Sequence, residues 1–179
     1  IQVLQVAISN SGQTRSIASG AAATGKPLME WFVTAYLKSS LAWLALGVTA
    51  GVAMAAHPVW TVYRPAHLHM LLVGFVTMMI YGVAYHVIPR FTGFPLYSRR
   101  AAGWQLWLSN VGLVFMVIGF VVRANGLAPG TPILAAGGLI TAAGAYTFVY
   151  VIWRTLDGPR AARRAMEAKN RRSTLTVSP

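Results

Sequence analysis

Four apolar stretches constrain the fold of this chain more than any other feature. An α-helix of about 20 apolar residues is long enough to cross the hydrocarbon core of a bilayer, which is roughly 30 Å thick. Inside a bilayer only helices and closed barrels satisfy their own backbone, and long continuous apolar runs favour helices. The pattern therefore predicts an all-α, polytopic membrane domain over residues 30–153. Its four transmembrane helices are expected at about residues 31–56, 66–89, 103–122 and 132–153.

The basic residues predict the orientation of these spans. The chain has 15 Lys+Arg against 3 Asp+Glu, and its net charge is +12. Cytoplasmic loops carry an excess of Lys and Arg, and all of these residues except Arg64 and Arg123 lie in or beside segments on one side of the membrane. We therefore predict a multi-pass protein of the bacterial inner membrane, with cytoplasmic tails over residues 1–29 and 154–179. Topology and lipid headgroups account for the charge, so no nucleic-acid partner is expected.

Proline and glycine mark the expected ends of the spans. Pro58 follows the first span, because proline disfavours helix in the residue before it. A short loop is expected over residues 61–65, and Pro89 together with Gly93 is expected to end the second span. Residues 123–131 are rich in turn formers and connect the third span to the fourth.

Two histidines, His67 and His69, stand at the rim of the second span. An ionisable side chain in a membrane-length segment is costly, and its presence indicates a functional site by default. Residues two apart lie about 200° apart around a helix axis, so these imidazoles point to nearly opposite faces and do not chelate one ion. Each would instead reach a different neighbour. The chain has no cysteine, which excludes thiolate metal sites and iron–sulfur clusters built from its own residues.

Haem is the cofactor that this histidine pattern favours. Its iron takes axial histidine, and Arg64, one turn before His67, is placed to bind a propionate at the water boundary. His57 is a further candidate ligand at the same end, although a role in lining the loop is simpler. A hydrogen-bonded histidine pair in headgroup water, without cofactor, fits the spacing equally well. His86 lies about 28 Å along the helix from His67, at the inner end, and is expected to have no such role.

The segment from His67 to Gly93 resembles the tenth transmembrane helix of subunit I of the haem–copper oxidases, including the cytochrome cbb3 and nitric oxide reductase branches. This resemblance implies that His67 and His69 are axial ligands of haem iron, with His69 preferred for a low-spin haem. The Arg-Pro-x-His sequence from Arg64 to His67 also resembles the second helix of cbb3-type subunits, and there the histidine that ligates low-spin haem b corresponds to His67. The features that match the tenth helix are His67-Leu68-His69, Gly82, His86, Pro89 and Gly93.

The resemblance also bears on assembly and activity. Subunit I of the family has twelve spans in three groups of four, and this chain resembles one such group. It has no His-Pro-Glu-Val-Tyr type segment and no adjacent histidine pair, so oxygen reduction by this chain alone is not expected. Because its two histidines face different ways, they do not hold one haem within a monomer unless His57 contributes, and bis-histidine ligation more naturally uses another chain. We therefore predict a homo-oligomer, three-fold by analogy, or a subunit of a larger respiratory complex.

Three hypotheses for the function follow from the sequence. In the first, the chain is a haem b-binding subunit near the periplasmic face that passes electrons within a bacterial respiratory complex, with a periplasmic electron-transfer protein as a partner. In the second, it is a haem protein that binds or senses nitric oxide or oxygen. In the third, it is an accessory or assembly subunit without haem, in which the histidines are structural.

Overall fold

The computed structural model describes residues 29–176, with side chains as far as residue 168. The chain divides into residues 1–30 and 31–179, and the second unit contains four long helices. Each of them is long and apolar enough to cross a bilayer, which confirms the predicted all-α membrane fold. The predicted tail over residues 1–29 lies outside the described residues, apart from Met29. The helices are α1 (Trp31–Ala56), α2 (Pro58–Thr92), α3 (Arg99–Ala124) and α4 (Gly130–Thr176).

Helix α2 begins earlier than the sequence predicted. It opens as a 3₁₀-helix over Pro58–Tyr63 and continues as an α-helix from Arg64. The predicted loop over residues 61–65 is therefore wrong. Pro58 and Pro65 both lie in a first helical turn, where the missing N–H has no helical partner to lose. At the other end Pro89 lies inside the helix, which ends at Gly93 with a left-handed φ of 68°.

A π-helical segment follows directly on the histidine pair. It covers Met70–Thr77, and a second α-helical part over Met78–Thr92 completes α2. The wider turn is visible in the side chains as well, because Thr77 Oγ1 donates to the carbonyl of Leu72, five residues earlier, at 2.8 Å. Segments of this kind are frequent at functional sites. The extra residue per turn also changes the faces that the later part of α2 presents to its neighbours.

Helix α4 is longer than the predicted fourth span. It runs through the basic segment, predicted as a tail from residue 154, and ends at Thr176. Within this extension Arg160 lies 4.0 Å from Asp157, one turn earlier, and the Arg160 side chain is 83% exposed. Hydropathy marks the end of the apolar part of a helix, and here the helical backbone continues beyond it.

Helix α2 contacts each of the other three helices. Its C-terminal half packs in a buried aromatic cluster, in which the rings of Tyr36 and Tyr81 are 6.0 Å apart and those of Tyr81 and Phe148 are 4.3 Å apart. Beside them, the buried Tyr85 Oη donates to Gln105 Oε1 at 2.8 Å. These side chains are at the end of the bundle that is farther from the histidine pair.

Candidate functional site

His67 lies on the face of α2 that packs against α1. Its Nδ1 is 2.9 Å from the carbonyl oxygen of Gly47. A carbonyl only accepts, so Nδ1 carries a proton, and in the neutral imidazole Nε2 then keeps a lone pair that a metal can use. Gly51, one turn after Gly47, makes room for the ring, because a Cβ there would stand 3.0 Å from His67 Cε1. Gly51 thus lets the imidazole approach the backbone of α1, whereas the space at Gly47 is taken by the side chain of Leu71.

His69 faces a different helix. Its ring lies 4.7 Å from the ring of Phe120 in α3, and its Nδ1 is 2.8 Å from the carbonyl oxygen of Pro65. The same argument therefore places the proton on Nδ1 and leaves a lone pair on Nε2. The two imidazoles are not brought together, since His67 contacts α1 and His69 contacts α3.

The other candidate residues lie at either end of α2. His57 precedes the 3₁₀-helix, is exposed, and has its ring 4.7 Å from that of Trp60. Arg64 is exposed and lies three residues before His67. His86 is in the C-terminal part of α2, where its carbonyl accepts from Arg90 Nη1 at 2.6 Å. The structure thus places His57 and Arg64 at the histidine end and separates His86 from them.

A cavity of about 270 Å³ opens beside His67. Its walls come from α1, α2 and α3 and are almost entirely apolar, and His67 is the one imidazole among the residues that line it. The small side chain of Ala53 forms part of the α1 wall, and Met54 and Met70 lie on the same cavity. Apolar surroundings of this kind limit solvent access to a metal ligand and influence its chemistry.

The residues present fit a haem at the edge of the bundle. The Nε2 lone pair of His67 is a suitable axial donor, and Arg64 supplies a cation near the rim. However, the cavity is smaller than the roughly 300–1,000 Å³ of typical small-molecule sites, so a macrocycle would extend beyond it. Among residues 29–168, no three His, Cys, Asp or Glu side chains are grouped to hold a metal ion. The described residues therefore offer single axial ligands to a haem.

The cavity walls were not foreseen from the sequence. The carbonyl of Gly47 accepts from His67, Gly51 makes room for the His67 ring, and Ala53 forms part of the cavity wall, yet none of these residues carries a reactive side chain. The four-residue spacing of Gly47 and Gly51 did indicate a place where another element can approach α1 closely. That spacing does not specify which side chain will occupy the space.

Residues 24–159 match the family of cytochrome c and quinol oxidase polypeptide I. This chain belongs to that family. It is similar to the cbb3-type cytochrome c oxidase subunit CcoN1 of Stutzerimonas stutzeri, with 26% identity over 157 residues, which cover 71% of this chain and 33% of that protein. It is also similar to a cytochrome c oxidase subunit 1 homolog of Agrobacterium tumefaciens (strain T37), with 26% identity over 124 residues, or 55% of this chain and 22% of that protein.

These matches confirm the predicted relationship to subunit I of the haem–copper oxidases. The chain is a multi-pass membrane protein of this family, and it spans 33% and 22% of the length of the two curated relatives. Members of the family bind haem, so a haem cofactor is consistent with the family as well as with the imidazole beside the apolar cavity.

Proposed function

We propose that this chain is a haem b-binding subunit that mediates electron transfer in a bacterial respiratory complex. The observation that carries the proposal is the tautomer and position of the His67 ring. Its Nδ1–H donates to the Gly47 carbonyl at 2.9 Å, and the residue lines an apolar cavity. Membership of the oxidase family supports the same cofactor. When bound, haem supplies an iron that gains and loses a single electron.

The chain contributes orientation, electrostatics and exclusion of water. The Gly47 carbonyl keeps the His67 ring in one tautomer and one orientation, and a hydrogen bond of this kind raises the basicity of a ligating imidazole. Apolar side chains from three helices line the cavity beside His67 and limit the access of water to it. Arg64 supplies a positive charge at the rim for a carboxylate group. By the distribution of basic residues, this end of the bundle is the periplasmic one and both chain ends are cytoplasmic.

Assembly with another chain completes this proposal. His67 is the one imidazole on the cavity, and His69 turns towards Phe120 of α3. Bis-histidine ligation therefore uses a second copy of this chain, in a homo-oligomer such as a trimer, or a different subunit of the complex. A periplasmic electron-transfer protein is the proposed redox partner.

A second candidate function is the binding of nitric oxide or oxygen. It is favoured by the single imidazole on the cavity, which leaves one axial position without a histidine from the same chain. The visible spectrum of the reduced protein distinguishes the two. A shift on addition of nitric oxide supports gas binding, and an unchanged low-spin spectrum supports electron transfer.

Filling the cavity tests the proposal without touching a ligand. Ala53 lines the cavity and Ala55, on the same helix, is exposed. We expect Ala53→Phe to lower the haem bound per chain by about tenfold or more, because overpacking of a site costs about 1–3 kcal/mol. Ala55→Phe adds the same ring elsewhere and is expected to leave haem content unchanged. The measurement is the pyridine haemochrome per chain after purification in detergent. Full haem in folded Ala53→Phe would contradict the proposed site.

A further inference from the structure

The terminal part of α4 extends beyond the four-helix bundle. Gly158 still lies close to the loop before α3, because a Cβ at Gly158 would stand 3.5 Å from Phe94 Cδ1. Residues 160–168 are all exposed, and the helix continues as far as Thr176. We call residues 159–176 the basic arm. It lies at the end of the bundle that is farther from the histidine pair.

The sequence of the basic arm accounts for its helical form without tertiary packing. Alanine, arginine, lysine, glutamate and methionine have high helix propensity, and together they make up most of the arm. The arm also continues an existing helix, so it does not bear the cost of nucleation. Because its exposed residues bury no core, the arm adds little to the stability of the bundle. What it offers is a surface.

That surface is strongly positive. The basic arm has six basic residues and one acidic residue, Glu167. Asp157, just before the arm, lies 4.0 Å from Arg160, but the two side chains are 42% and 83% exposed, and an exposed pair of this kind is weak. Arg163 and Arg164 are exposed as well. The arm therefore presents an excess of guanidinium groups to its surroundings.

Lipid headgroups are a poor match for most of this charge. Trp153 is the last aromatic residue of the chain and is 67% exposed, as is typical of the membrane boundary. The helix runs for a further 23 residues, or about 35 Å, whereas charges are screened over about 8 Å at physiological salt. A helix that lies flat on a membrane has bulky apolar residues on one face, and residues 160–168 offer only alanines and Met166.

A second copy of this chain is also a poor match. The chain has only three acidic residues. Glu167 lies within the positive arm, Asp157 is beside Arg160, and Glu30 already has an interaction partner. Two basic arms would therefore repel each other.

We propose that the basic arm docks on an acidic surface of a different protein. Carboxylates of that partner accept paired hydrogen bonds from the guanidinium groups of Arg163 and Arg164. Charge complementarity provides the attraction, and the exposed helix provides a contact surface beyond the membrane. This proposal does not depend on haem binding at the other end of the bundle.

The first test asks whether the arm lies in water or on lipid. The chain has no cysteine, so Met166→Cys takes a single spin label in the full chain, which is placed in nanodiscs that contain phosphatidylglycerol. We expect the label to be freely accessible to a water-soluble nickel chelate. Leu139→Cys is the control, because Leu139 is 74% exposed in the apolar part of α4, and its label is expected to meet oxygen from the lipid phase instead. Protection of the Met166→Cys label from the chelate would place the arm on the membrane and overturn the proposal.

The second test measures the attraction of the arm for carboxylates. The probe is fluorescent poly-L-glutamate, and its binding to the full chain in phosphatidylcholine nanodiscs is followed by anisotropy at fixed ionic strength. An exposed ion pair contributes about 1.5- to 5-fold to an affinity. We therefore expect binding about tenfold weaker in the triple variant Arg160→Gln, Arg163→Gln, Arg164→Gln.

A matched control removes the same charge from other exposed positions. The triple variant Lys38→Gln, Arg100→Gln, Arg123→Gln changes three exposed residues outside the basic arm and is expected to bind the probe nearly as tightly as the unmodified chain. An equal loss of affinity in the two triple variants would show that only the net charge matters and would overturn the proposal. Failure of the unmodified chain to bind poly-L-glutamate would also overturn it.

Discussion

Replacing His67 by alanine is expected to remove nearly all haem from this protein. The imidazole is held by the Gly47 carbonyl at 2.9 Å and borders the apolar cavity. Loss of a residue that merely supports a metal ligand typically lowers affinity about 10–100-fold, so loss of the ligand itself is expected to lower it at least about 100-fold. The measurement is haem per chain by pyridine haemochrome. Imidazole added to the His67→Ala protein is expected to restore part of the low-spin spectrum.

Two other histidines provide matched controls. His69→Ala is expected to retain haem, because His69 packs against Phe120 on α3 rather than lining the cavity. His86→Ala is also expected to retain haem, because His86 is in the C-terminal part of α2 and does not line the cavity. The resemblance to the tenth helix of the oxidase subunit implied His69 as the preferred low-spin ligand. Haem lost from His69→Ala and retained in His67→Ala would therefore contradict our assignment and support that alternative.

A second large effect is expected at Gly137, where α4 crosses α3. A Cβ at Gly137 would stand 2.5 Å from the backbone nitrogen of Met116 and 2.8 Å from the carbonyl oxygen of Gly112. These are backbone atoms, so the helices must separate to admit a methyl group. Small residues at such crossings provide the close packing that holds membrane helices together. We expect Gly137→Ala to destabilise the protein by about 1–3 kcal/mol.

The adjacent glycine is a nearly ideal control. A Cβ at Gly138 would have no atom within 4 Å, and alanine is favoured over glycine in a helix by up to about 1 kcal/mol. Gly138→Ala is therefore expected to be neutral or slightly stabilising. Both variants are compared with the unmodified chain by thermal unfolding in the same detergent. Equal midpoints for Gly137→Ala and Gly138→Ala would show that the α3–α4 crossing is not packed as described.

The transmembrane helices were predictable because their signal is local. Length and apolarity identify a span whatever it packs against, and all four spans are present. The ends of the helices were harder to predict. Pro58 was placed just after the first span and Pro65 at the end of a loop, and proline at either position is also suited to a first helical turn. The continuation of α4 to Thr176 was missed because hydropathy identifies the apolar part of a helix and carries no information on where the helical backbone ends.

The π-helix and the surroundings of the histidines depend on tertiary contacts. The apolar run from Met70 to Thr77 is compatible with an ordinary α-helix, so nothing local distinguishes the wider turn. The histidine pair itself stood out, since ionisable side chains are rare in such segments. The tautomer of His67 could not be predicted from the local sequence, because the acceptor that fixes it is the carbonyl of Gly47, twenty residues earlier.

The reduced-minus-oxidised visible spectrum of the detergent-purified protein, with a pyridine haemochrome count per chain, tests the central claim most directly. Our account predicts sharp low-spin b-type bands at a defined stoichiometry. A flat spectrum from intact, folded protein would contradict haem binding, and it would favour an accessory or assembly role in which His67 and His69 are structural.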